Sequence, residues 1–148
     1  MVEAAVMLPA LMFVLALMLE PACLLYTTCV MRSAAAEGLR ATQTGMDGPG
    51  EEACVDYVRR RLAAIPEVAP FHVGGEGDWE VSVSGGGTST TARVEIAGHA
   101  RPLPLFAAVT EAFAETDDTG IVLKVEVEQE VRPDWFGGSY DTWTGVWG

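Results

Sequence analysis

The segment from Ala4 to Leu19 carries no charged residue, and the apolar character resumes from Pro21 to Val30. Few arrangements suit such a run. In oil every backbone amide must find its partner within the segment, which selects a helix. Ala4–Leu19 is 16 residues, or about 24 Å of helix at 1.5 Å per residue. Extension to Val30 gives roughly 40 Å, more than the roughly 30 Å hydrocarbon layer. The segment therefore reads as one tilted membrane span over about residues 4–30. Glu20 lies towards its outer half and Tyr26 near the far interface. No Lys or Arg precedes Arg32 and the apolar stretch is long, which argues against a secretory signal.

Three residues sit oddly in such a span. Pro9 and Pro21 each remove a backbone donor, leaving the carbonyls of Ala5 and Leu17 unserved. Glu20 is costly in lipid, by roughly 2.5–3.5 kcal/mol for an acidic charge at mid-bilayer. Such features become tolerable where neighbouring helices supply partners, or, for Glu20, where its side chain reaches the headgroups. Glu3 suits the positive end of the helix in any case. The sequence MRSAAAEGLRATQT extends the helix with good formers to about Thr44, and Glu37 is spaced to pair with Arg40. The extension is thin and Ala-rich, so it must lean on something.

The turn-rich stretch at 45–50 reads as a linker to a domain over 51–148. The net charge of −12 belongs mostly to that domain. Such acidity speaks for solubility and against nucleic acid. GEEACVDYVRRRLAAIP is an amphipathic helix with Cys54, Val55, Val58, Leu62 and Ile65 on one face, stopped by Pro66. Its acids lie at the positive end of the helix dipole and Arg59, Arg60 and Arg61 at the negative end. DWEVSVS alternates with Trp79, Val81 and Val83 on one side, and TARVEIA turns Val94 and Ile96 inward. SGGGTST joins them as a hairpin connection. IVLKVEVEQEV sets Leu123, Val125, Val127, Gln129 and Val131 against Lys124, Glu126, Glu128 and Glu130. The fold class is α+β, with a small three-stranded antiparallel sheet that has one wet face. LFAAVTEAFAE, before the third strand, suggests a short helix.

The tail WFGGSYDTWTGVWG gathers Trp135, Phe136, Tyr140, Trp143 and Trp147. These aromatics either wrap the sheet or form an exposed surface for a partner subunit, an assembly protein or a glycan. Catalytic signals are missing. His72 and His99, the only histidines, fall in loop-like settings without a nucleophile or zinc-protease motif. The glycines of SGGGTST lack the Lys of a phosphate loop. The acidic row on the third strand and ETDDTG read as solvated faces rather than calcium ligands. Cys23, Cys29 and Cys54 indicate neither a disulfide framework nor zinc. The chain is read as no enzyme, with no cofactor and no metal.

The N-terminal features as a set resemble a known family. V-E-A-A-x-x-x-P, an apolar run, a Glu near its end, Tyr26, then A-A-A-E-G-L-R are similar to the TadE-like pseudopilins, minor pilins of the tight-adherence (type IVb) pilus system. The similarity covers residues 2–40, with R-P-D-W at 132–135 a weaker late element. It implies a pilin-like fold and a role in pilus assembly through packing of the N-terminal helix. Glu3 would neutralise the amine of a neighbouring chain, with Pro9, Glu20, Pro21 and Tyr26 in the same packing zone. Implied partners are the membrane, other pilin and pseudopilin subunits, the pilus assembly platform and a prepilin peptidase. Family precursors carry a short basic leader ending in Gly, so the start at Met1 is read as a trimmed one. Localisation would be the cytoplasmic membrane, single pass with the domain outside, then the filament. The alternative is a membrane-anchored extracytoplasmic binding domain that is never assembled into a filament.

Overall fold

The computed structural model describes residues 2–43, 50–85, 89–103, 117–118 and 120–131, with the side chains of Val2, Glu3 and Ala16 left out. The helix suggested within 104–116 and the aromatic tail at 132–148 lie outside these residues, as does most of the linker. The observed layout is α+β. A long helix α1 (Val2–Gln43) is followed by α2 (Glu51–Leu62), a single 3-10 turn (Glu76–Asp78) and strands β1 (Glu80–Ser84), β2 (Thr91–Ala100) and β3 (Ile121–Glu130). The strands form an antiparallel sheet in the order β1-β2-β3.

Register follows from side-chain alternation. Val83 faces Val94, which faces Val127, and Val81 faces Ile96, which faces Val125. One face is thereby apolar, with Val83, Val94, Ile96 and Val125 buried. The other face is charged. Arg93 pairs with Glu95 and Glu126, and Lys124 with Glu95. Gln129 is exposed rather than inward, although its cross-strand partner Ala92 is buried in the core. β2 continues to Ala100, three residues past the stretch that alternates legibly in sequence, and so takes in His99. Those last residues include Gly98, whose missing side chain hides the alternation. A methyl there would meet the Trp79 ring at 2.5 Å.

α2 ends at Leu62, short of Pro66. The chain then tightens into a turn in which Ala64 N–H bonds to Arg61 O and Ile65 N–H to Leu62 O. Ile65 still reaches the core. That core lies between the sheet, α2 and the second half of α1: Met31, Ala34, Ala35 and Leu39 meet Cys54, Val58, Leu62, Val94 and Ile96. The Ala-rich extension is thus one wall of the domain. Its small residues let α1 come close, and Gly38 marks the tightest approach. A methyl there would fall 2.5 Å from a methyl of Val58.

The expected result of Gly38→Ala follows. Overpacking costs about 1–3 kcal/mol and the gain in helix propensity returns about 1 kcal/mol, for a net loss of up to ~2 kcal/mol. Val58 is β-branched and cannot swing aside. Urea unfolding of the full chain in detergent checks this. The penalty should shrink when Gly38→Ala is made in a Val58→Ala background.

Beside Gly38, Glu37 ties the two helices together. Tyr57 of α2 donates to it at 2.8 Å, and Arg61 of α2 forms an ion pair with it. The Arg61 bond first, then that from Tyr57, hold the Glu37 carboxyl below its ordinary range. The partner expected from sequence was Arg40, one turn along α1. The packing of α2 brings Arg61 and Tyr57 to Glu37, since sequence spacing ranks only partners on the same helix.

Candidate functional site

α1 divides into two lengths with different surroundings. From Ala4 to Leu19 the described side chains are exposed, apart from a half-buried Leu17. Val6, Met7, Leu8, Leu11, Met12, Phe13, Val14, Leu15, Met18 and Leu19 are all large apolar groups more than half exposed. That much uncovered apolar surface marks a contact with lipid or with other chains. α1 is long and apolar enough near its N-terminus to cross a membrane. It runs unbroken through Pro9 and Pro21, both on exposed positions. Glu3 lies in its first turn.

At Glu20 the surroundings change. Glu20 is only 1% exposed, and its Oε1 accepts the Leu103 N–H at 3.1 Å. Its Oε2 is buried without a hydrogen-bond partner. Cys23 is buried one turn on, and Thr27 a further turn on. The Thr27 hydroxyl reaches the carbonyls of Cys23 at 3.2 Å and Phe71 at 3.1 Å. Tyr26 lies edge-on to the Phe71 ring, and its hydroxyl makes a long 3.4 Å bond to the Ala64 carbonyl. One face of residues 20–30 is therefore gripped by the segments 63–72 and 101–103. The opposite face stays open, with Leu25 65% exposed.

The assembly set read from sequence is thus divided. Pro9 lies in the bare rod, whereas Glu20 and Tyr26 contact their own domain. Pro21 sits at the junction, on the open side. Thr27 was not singled out in the sequence. The signal was present: Glu20 and Thr27 are seven residues apart, two turns along one face of an otherwise greasy helix. The five aromatics of the tail lie outside the described residues.

A second constellation also escaped the sequence reading. Asp78, in the 3-10 turn, receives His72 Nε2 at 3.0 Å, the His99 backbone N–H at 2.8 Å and His99 Nδ1 at 2.8 Å. His99 Nε2 lies 2.9 Å from Asp117, just before β3. With a carboxylate at each ring nitrogen, His99 satisfies both only as an imidazolium. Burial alone would push its pKa down, but the Asp78 bond and the charges of Asp78 and Asp117 reverse this and raise it. Burial alone would push Asp78 up, and the His99 and His72 bonds more than reverse that, leaving it lowered. His72 is buried, with its ring stacked on Trp79 at 3.9 Å. His99, Asp78, His72 and Asp117 come from four different segments, so no sequence spacing announced them. They staple the loops at one end of the sheet. Among the described residues no group of His, Cys, Asp and Glu is arranged to hold a metal ion.

Two clefts flank α2. One, of about 550 Å³, is lined by Arg59, Arg60, Glu67, Glu76 and Trp79 among others. It mixes both signs of charge. The smaller, of about 330 Å³, lies over Glu37, Cys54 and Tyr57. Burial pushes the Cys54 thiol up, away from the reactive thiolate. Comparison with protein families, with curated proteins and with solved structures gives no match to this chain.

Proposed function

We propose that this chain is a minor pilin or pseudopilin, which enters a type IVb pilus by packing its N-terminal helix among those of sister subunits. One observation carries the reading. A single helix serves as a bare apolar rod over its first half and as a wall of a small α+β domain over its second. Such a subunit is stored with its rod in the bilayer and can exchange lipid for other rods at little cost, because both environments are apolar. The resemblance of V-E-A-A-x-x-x-P and A-A-A-E-G-L-R to the TadE-like pseudopilins supplies the pilus system. In this reading the partners are sister pilins, the assembly platform and the membrane, and the domain lies outside the cytoplasmic membrane. No catalytic step belongs to it.

A second reading, an anchored binding domain that never leaves the bilayer, is favoured by one contact. Glu20 already has a donor within its own chain, so it does not oblige the rod to find sister helices. The two readings part on crosslinking and on fibres. In membranes of the native cell, Leu11→Cys is expected to give maleimide-crosslinked species with other pilins. Deletion of the gene is expected to remove most surface fibres seen by electron microscopy. A chain that stays uncrosslinked, in cells whose fibres are normal without it, would be a tether and not a pilin.

A further inference from the structure

The bare rod is shorter than the membrane it would cross. Ala4–Leu19, 16 residues, spans about 24 Å, against roughly 30 Å of hydrocarbon. About four more residues, Glu20 to Cys23, are needed to reach the outer edge of an untilted span, and tilt would draw in more. Yet Glu20 and Cys23 are buried, and Glu20 is bonded to Leu103. Whatever covers them must lie at the same depth.

We propose that the domain is seated in the outer leaflet rather than held above it: segments 66–71 and 101–103 form a base that docks into the lipid interface. The inference rests on the membrane reading of α1. The occupant of the base is lipid, because exposed Leu25, Tyr26 and Val68 carry the apolar surface of the rod onto it, with the charged Glu67 and Arg101 beside them. Thr27 lies seven residues beyond Glu20, about 10 Å higher along the helix. It is therefore about 6 Å beyond Cys23, within the headgroup layer. Its hydroxyl bonds Phe71 O, and the Phe71 N–H bonds Val68 O at 2.8 Å. Val68 is 61% exposed, an apolar side chain in a turn with no role in the core. Leu25 and Tyr26 are exposed at the same height, and a tyrosine with an apolar body and a wet hydroxyl suits the interface. Arg101, exposed two residues before Leu103, offers a cation to the lipid phosphates. Glu67 opposes it, so the apolar contacts and not net charge drive the seating.

The same geometry explains a carboxyl group in oil. At the outer edge of the hydrocarbon, Glu20 meets a backbone amide of its own domain instead of lipid, so its burial and the docking of the base are one event.

Spin-label accessibility in the full chain tests this, in vesicles of phosphatidylcholine with a minority of phosphatidylglycerol. Labels are placed by Leu11→Cys, Val68→Cys and Glu52→Cys in a Cys29→Ser background; Cys23 and Cys54 are buried. The Leu11 label reports the rod, and Glu52, exposed at the start of α2, reports water. The ratio of oxygen to nickel-complex collisions at Val68 should be several-fold above that at Glu52 and below that at Leu11. A Val68 ratio equal to that at Glu52, with Leu11 in lipid, overturns the seating while leaving the span intact. Protection of Val68 from both reagents also overturns it, since protein then covers the base. A Leu11 label in water overturns the membrane reading itself.

Discussion

Met31→Ala is expected to destabilise the domain by about 2–5 kcal/mol, the usual range for truncating a buried Met. Met31 is fully buried and stands where α1 enters the core, against α2 and the sheet. Its removal takes apolar surface from the core in which α1 packs against α2 and the sheet. The neighbours Ala34, Ala35 and Leu39 are fixed on the same rigid helix and cannot collapse into the space. Urea titration of the full chain in detergent, followed by tryptophan fluorescence, should show a lower midpoint with an unchanged slope. Met12→Ala is the control. Met12 is more than half exposed and should leave the midpoint where it was. A Met31 variant as stable as the parent would mean that the helix is not part of the domain's core.

Asp78→Ala is expected to cost as much or more, and in a pH-dependent way. The carboxylate accepts from buried His72 and from the His99 backbone, and without it both donors lose their partner. At about 1–3 kcal/mol per unsatisfied buried donor, the expected loss is about 2–6 kcal/mol. The ion pair with His99 adds a pH window. His99 is raised when folded, so its contribution is complete below its unfolded value of about 6.5 and fades as pH rises through the folded value above it. Asp78 is lowered, so its contribution is present above about 3.9 and is lost as pH falls through the depressed value. The parent should therefore lose stability from mildly acid towards alkaline pH, and His99→Gln should flatten that slope. Thermal unfolding across pH, with NMR titration of the His99 ring, checks both. An unshifted His99 would remove the imidazolium from between the two carboxylates.

How much of this was legible beforehand varies by element. The strands were readable because apolar and polar residues alternate strictly at Val81–Val83, Val94–Ile96 and Leu123–Val127, and period two has only one structural meaning. α2 was readable from Cys54, Val58 and Leu62, but its end was not. Ala63 and Ala64 are good helix formers, yet the chain leaves the helix at Leu62 and tightens into a turn ahead of Pro66. The end of β2 was hidden by Gly98, a residue with no side chain to alternate.

By itself, the sequence determined that an uncharged N-terminal run must be a helix bare to something apolar, and that an acidic α+β domain follows. Local chemistry suffices for that, since hydrogen bonding and periodicity act over a few residues. Only the tertiary structure decided where the rod ends and the domain begins. Glu20 meets Leu103 across 83 residues of chain, and Asp78 meets His99 across 21. A partner for a buried charge is chosen by what the fold brings within about 3 Å, and no reading of neighbours along the chain contains that distance.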